Sequence, residues 1–243
     1  MGKLIERPAE SIPEHEVPPP PLQSGDRLTR DEFERRYEAT PEGFKAELIE
    51  GVVHMPSTVS YNHHGKPHAL LSAWLVHYVA ETPGVDAGCD ATVRLDGDNE
   101  PQPDACLRIL PTHGGRCRTG PKDYLEGAPE FIAEVAASSA SVDLNDKLNA
   151  YRRNGVREYV VLRTFDRALD WFVLRFDRYE RLAADASGIL CSATFPGLWL
   201  EPAALISGDA ARVLEIARRG AESSEHAAFV AHLAEQAKSS PAR

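Results

Sequence analysis

Two carboxylates stand where the surrounding sequence is otherwise apolar. Glu134 lies within Phe131–Val135, between Ala133 and Val135, and Asp104 opens the apolar run that follows Pro103. A carboxylate that leaves water pays a large desolvation penalty unless it is paired or metal-bound. Two of them at the ends of neighbouring strands would share one divalent cation, and hard oxygen ligands of this kind suit Mg2+ or Mn2+. Ordinary surface or edge carboxylates fit the same residues, and residue type alone leaves both readings open. Lys147 follows Asp143 by one helical turn. By spacing it is a solvent-facing i, i+4 ion pair contributing a few tenths of a kcal/mol. The alternative is a lysine that reaches over the strand end to orient an attacking water or offset charge on a phosphoryl oxygen.

The elements that must position these groups follow from periodicity and turn residues. A helix is expected over Thr29–Tyr37, with Thr29 as N-cap and Glu32 completing a capping box. Lys45–Met55 reads as a hairpin turning at Glu50–Gly51. Leu71, Trp74, Leu75, Tyr78 and Val79 make the apolar face of a helix over His68–Val79 that Pro83 and Gly84 end. Strands are expected at Ala91–Leu95, Asp104–Leu110, Phe131–Val135, Tyr159–Arg163, Leu169–Arg175 and Tyr179–Leu182, and a loop at Pro111–Pro121. Val142–Arg153 reads as one helix through Leu144, Leu148 and Tyr151, stopped by Gly155. Phe195–Leu200 closes the core, and Ala210–Arg218 and Ser224–Gln236 are helical. This order describes an α/β protein with a mixed central sheet flanked by helices. The expected division is a Pro- and Glu-rich arm at 1–25, a main domain at 26–203 and a C-terminal helical extension at 204–243.

Bulk composition is that of a globular protein, 42% hydrophobic and 26% charged. No apolar run is long enough for a membrane span and the start lacks the apolar stretch of a signal peptide, so a cytoplasmic protein without membrane contact is expected. Cys89, Cys106, Cys117 and Cys191 form no CxxC unit, which argues against structural zinc. Cys89 and Cys106 read as small buried hydrophobes. The net charge of −10 counts against a non-specific grip on nucleic acid, unless a local basic rim offsets it.

The constellation of Pro103–Asp104, Glu134 and a nearby lysine resembles the PD-(D/E)XK nuclease superfamily. Within it the chain is similar to the bacterial Uma-type "putative restriction endonuclease" family, long catalogued as a domain of unknown function. The matching pieces are AELIEG at 46–51, HH at 63–64, PDACLRI at 103–109, PEFIAEVAASSASVDLNDKLNAYRRNGVREYVVL at 129–162 and FPGLWL at 195–200. They span roughly residues 28–203. The Pro-Asp pair alone is weak; the long block is specific.

The resemblance implies a restriction-endonuclease-like core and metal-dependent cleavage of nucleic acid, DNA foremost, by an endonuclease. It implies Asp104 and Glu134 as ligands of Mg2+ or Mn2+, helped by the Val135 carbonyl and by Glu47 at the early acidic position. The superfamily's lysine position falls on Ala136, and Lys147 stands where a helix lysine substitutes for it. Asp143, Tyr151 and His63 match supporting positions. Ala137–Ser138–Ser139 replaces the family's Ser-Pro-Ser, which puts the delivery of the following helix in doubt. Backbone contacts are expected from Arg108, Arg116, Arg118, Lys122, Arg152 and Arg153. Trp171 and Phe172 are compatible with a homodimer interface and equally with a packed core. Against this enzyme stands a catalytically inactive nuclease-like module that binds nucleic acid or a protein partner, favoured by the acidic charge and the missing Ser-Pro-Ser. A carboxylate-pair glycosidase has no role for Lys147.

Overall fold

The computed structural model describes residues 18–56 and 58–239. Most of the expected N-terminal arm and the last four residues lie outside these. Helix α1 (Arg30–Tyr37) starts where Thr29 Oγ1 accepts the Glu32 N–H at 3.4 Å, but the Glu32 carboxylate turns to Arg35 and Arg36, so half the capping box forms. The hairpin follows as β1 (Glu47–Ile49) and β2 (Val52–His54), with Glu50 and Gly51 both at positive φ, as a tight primed turn requires. A single wide turn at Tyr61–Gly65 leads into α2 (Lys66–Glu81), which buries Leu71, Trp74, Leu75 and Tyr78 on one face.

Next come β3 (Val85–Cys89), β4 (Val93–Arg94), β5 (Ala105–Ile109), β6 (Arg118–Thr119), β7 (Leu125–Glu126) and β8 (Phe131–Ala136). Two short helices, α3 (Ala140–Asp143) and α4 (Asp146–Asn154), cross to β9 (Glu158–Arg163), and β10 (Ala168–Arg175) and β11 (Arg178–Arg181) continue the meander. The small pair β12 (Leu190–Cys191) and β13 (Trp199–Leu200) precedes α5 (Pro202–Ser207), α6 (Ala210–Ala221) and α7 (Ser224–Ser239).

The main sheet runs β11-β10-β9-β8-β5-β3, antiparallel except for the parallel pair β8–β9. This is the expected mixed sheet flanked by helices. Two departures have clear causes. Strand β3 carries Asp86 and Gly88 and shows no apolar alternation; pairing with β5 makes it the edge strand. Cys89 at its end is therefore exposed, against expectation, whereas Cys106 is buried and its thiol is pushed up to about 12 by desolvation. The single helix expected over Val142–Arg153 breaks at Leu144–Asn145. The Asp143 carbonyl, which would serve the Lys147 N–H in an unbroken helix, accepts the Tyr159 hydroxyl at 3.0 Å instead.

Alternation in β8 divides the interior. Phe131, Ala133 and Val135 join Trp74, Trp171 and the terminal helices on one face, while Ile132 and Ala136 face Tyr151 and Tyr159 on the other. Trp171 sits edge-on to Trp74 at 5.8 Å and Phe172 stacks on Tyr159, so both are core residues and offer no dimer surface. Val213, Ala217 and Leu233 belong to the same core as the sheet. Gly220 of α6 lies against the Gly197 turn so closely that an added Cβ would sit 2.1 Å from the Gly197 carbonyl. We propose 26–203 as the nuclease-like domain and 204–243 as its extension, whose helices α5, α6 and α7 pack as part of the same core. A chain truncated after residue 203 is accordingly expected to lose cooperative unfolding, with a near-UV dichroism signal close to zero; a native signal would show the extension to be dispensable.

Candidate active site

Because Glu134 shares the face of Ile132 and Ala136, it points at α4, and the β8–α3–α4–β9 crossover brings Lys147 over it. Lys147 Nζ lies 2.9 Å from Glu134 Oε1, 3.0 Å from Glu47 Oε1 and 3.9 Å from Asp143 Oδ1. The lysine is only 6% exposed, so it is not the solvent-facing ion pair that its spacing suggests. The Tyr151 hydroxyl donates to the same Glu134 oxygen at 2.9 Å.

Glu47 is delivered by the hairpin. Leu48 bridges to Glu100, and the Gln102 N–H then donates to Glu47 Oε1 at 2.6 Å, two residues before Asp104. Asp104 Oδ2 accepts the Val135 N–H at 2.6 Å, and Glu134 Oε2 accepts the Asp104 N–H at 3.3 Å. Ser139 Oγ donates to Asp143 at 2.6 Å. Glu47, Asp104, Glu134, Val135, Asp143 and Lys147 thus line one cleft of about 620 Å³.

The histidine at Asp104 is His64, its Nε2 at 3.1 Å from Oδ1, rather than His63. His68 Nε2 bonds the Asp104 carbonyl at 2.7 Å. The i, i+4 spacing of His64 and His68 is the signal that would have selected His64, because only that pair shares a helical face. His63 instead lies against Phe165, with ring centroids 4.6 Å apart. Of the arginines and lysines expected to meet a backbone, none lines the cleft. Arg108 pairs with Asp86, Arg118 with Glu126, Lys122 with Glu34 and Glu38, and Arg153 with Glu50 and Asp96. Arg152 donates to the Asp177 carbonyl.

The electrostatics are lopsided. Burial, then the charges of Asp104, Asp143 and Glu47, hold Glu134 well above the carboxylate range despite Lys147. Burial also raises Asp143. Burial opposes the charge on Lys147, but Glu134, Glu47 and Asp143 outweigh it and keep the ammonium protonated. Asp104 is held low: burial acts against this, and the His64 and Val135 hydrogen bonds prevail. The hydrogen bond to Asp104 raises His64 in turn. Among the described residues no three His, Cys, Asp or Glu side chains stand close enough to grip a metal ion as they are arranged. Glu47 and Glu134 are turned to Lys147, and Asp104 to His64 and Val135.

These directions fix a pH dependence. Glu134, Asp143, Glu100 (pushed up to about 8 by burial beside Glu34) and His64 all bind protons more tightly folded than unfolded. For the three acids, stability falls as pH rises from the ordinary values of 4.5 and 3.8 toward the raised ones. The His64 contribution is complete below its ordinary 6.5 and is lost through its raised value. All four act in one direction, so the melting temperature in EDTA is expected to fall between about pH 5 and about pH 8. Scanning calorimetry checks it, and a rising melting temperature across that window would contradict the arrangement.

The family model described as "Uma2: Putative restriction endonuclease" matches residues 30–203. The chain belongs to that family. A crystal structure described as a "putative nuclease belonging to DUF820", from Anabaena variabilis ATCC 29413, is similar over 74% of this chain and 98% of its own, with a TM-score of 0.58 and 15% identity. That likeness speaks for the α/β fold of the Uma2 chain. No curated protein matches it. No helix among the described residues of this Uma2-family chain is long and apolar enough to cross a membrane.

Proposed function

We propose that this Uma2-family chain hydrolyses phosphodiester bonds of nucleic acid as a DNA endonuclease, using Mg2+ or Mn2+ held by Asp104 and Glu134 with help from Glu47 and the Val135 carbonyl. The observation that carries this reading is the charge imbalance of the cleft. Four carboxylates, Glu47, Asp104, Glu134 and Asp143, converge on Lys147 and His64, and burial penalises the excess negative charge. Their oxygen donors fit a hard dication, and all four cysteines are free and outside the cleft. Such a cation supplies polarisation of a phosphoryl oxygen and a more acidic water. The side chains do the rest: Tyr151 and the Asp104 amide fix the Glu134 carboxylate, His64 and the Val135 amide fix Asp104, and the Lys147 ammonium offsets charge growing on the phosphate.

One observation favours the second reading, a catalytically inactive nuclease-like module. The Lys147 ammonium fills the centre on which Glu47 and Glu134 converge. Titration calorimetry with Mn2+ tests the site: the wild-type protein is expected to take up the ion, and Glu134→Ala to lose at least about tenfold in affinity. Unchanged uptake in that variant would sink the site. Uptake without cleavage of plasmid or oligonucleotide DNA would favour the inactive module.

A further inference from the structure

The cleft has an aromatic mouth that the acid cluster does not use. Phe165, at the tip of the β9–β10 turn, is 60% exposed and lines the cleft together with Val59, itself 67% exposed. The ring is held in place. Thr164 donates its hydroxyl to the His63 carbonyl at 2.9 Å and its N–H to the Ala136 carbonyl at 3.0 Å, and the His63 ring packs tilted against Phe165. Phe165 and Val59 are therefore apolar surface that any ligand entering the cleft would meet.

Charge narrows what it contacts. Duplex DNA buries its base faces and offers chiefly phosphates, so it needs a run of available cations. Here the chain carries −10, and Arg108, Arg118, Lys122 and Arg153 are each committed to carboxylates. Lys45 on the cleft wall and Arg167 beside the Phe165 turn have no ion pair among the described residues. One cation on the cleft wall and one in the Phe165 turn suit a strand whose bases are already unpaired, because every base offers a face to stack and few phosphates need to be met.

We propose that the cleft takes single-stranded nucleic acid, with an unpaired base stacked on Phe165 beside His63 and the backbone met by Lys45 and Arg167. The inference rests on the reading of the cleft as a nucleic-acid-cleaving site and adds the strand state of its substrate. Fluorescence anisotropy in EDTA tests it, with a labelled oligothymidylate of about 12 nucleotides against a duplex of equal length. The single strand is expected to bind at least about tenfold more tightly. Phe165→Ala is expected to weaken that binding about tenfold and leave the duplex unaffected, and Phe165→Trp to restore it. Equal or tighter duplex binding, an unaltered Phe165→Ala protein with native dichroism, or no binding of either oligonucleotide would overturn the proposal. A Mn2+ cleavage assay separates the two readings. Glu134-dependent cleavage that ignores strand state removes the aromatic mouth and keeps the nuclease; strand preference that depends on Phe165, with no cleavage by any variant, does the reverse.

Discussion

Lys147→Met is expected to cost the metal-free protein about 3–5 kcal/mol of folding stability near neutral pH, the range seen when one partner of a buried ion pair is removed. Methionine fills a similar volume, so little of that loss is packing. It arises because Glu134 and Asp143, both buried, lose the cation beside them while Glu47 and Asp104 stay near. The surviving carboxylates respond by taking up protons, so the deficit should shrink toward about pH 5. Mn2+ should also reduce it if the cleft binds the ion, by mass action on the folded state. Urea unfolding at two pH values reads all of this. A loss below about 1 kcal/mol, of the size of an exposed pair, would mean that the ammonium does not sit among the acids. In a cleavage assay the same variant should fall by about a hundredfold or more, the scale of one missing electrostatic donor.

The second large effect concerns a different buried acid. Glu158 is fully buried at the start of β9 and accepts the Trp171 indole N–H at 2.8 Å, the Thr194 N–H at 2.6 Å and the Ser192 hydroxyl at 2.9 Å. Its donors come from β10 and from the segment that leads to β13, so it pins that segment to the sheet. Glu158→Leu is expected to lose at least about 3 kcal/mol, because each stranded buried donor costs about 1–3 kcal/mol. Glu158→Gln keeps an acceptor and should lose less. Urea titration followed by Trp fluorescence measures both, and the folded fraction of each variant should retain wild-type Mn2+ uptake. Altered uptake would place Glu158 in the cleft's chemistry, and a cost under about 1 kcal/mol would mean the three donors find other partners.

Glu134 and Glu158 also mark how far sequence carries. Both are buried acids in apolar strands, and Glu134 is legible because Ala133 and Val135 bracket it. Glu158 lies beside Arg157, one residue before the strand expected at Tyr159–Arg163, and its tertiary donors are what reveal the burial. The helix α2, the hairpin and β8 follow from periodicity and turn residues. The edge strand β3 does not, since its pairing rather than its composition makes it a strand. The α3–α4 break escapes for a similar reason: Tyr159, on another element, takes the Asp143 carbonyl. For the site, Asp104 and Glu134 follow from burial pattern and motif, Glu47 and Lys147 from the resemblance, and the structure brings the four together. His63 and His64 look alike in the sequence, and His68 one turn after His64 is what distinguishes them. The burial of Lys147 is invisible to spacing, which treats every helix lysine as a surface residue.

The acid cluster draws its members from distant points of the chain, and the α3–α4 crossover closes only the shortest of the ties. Glu47 is tied to a partner 55 positions onward, Asp104 to one 30 away and Glu134 to one 13 away. Each tie closes a loop, and loops of this kind form only once the strands that bracket them have docked. A chain emerging from its N-terminus therefore presents Glu47 and Asp104 before either Glu134 or its lysine exists beside them. The cluster is an outcome of sheet closure and not a seed for it. A cation added early in refolding should accordingly leave the folding rate alone and slow only the reverse reaction.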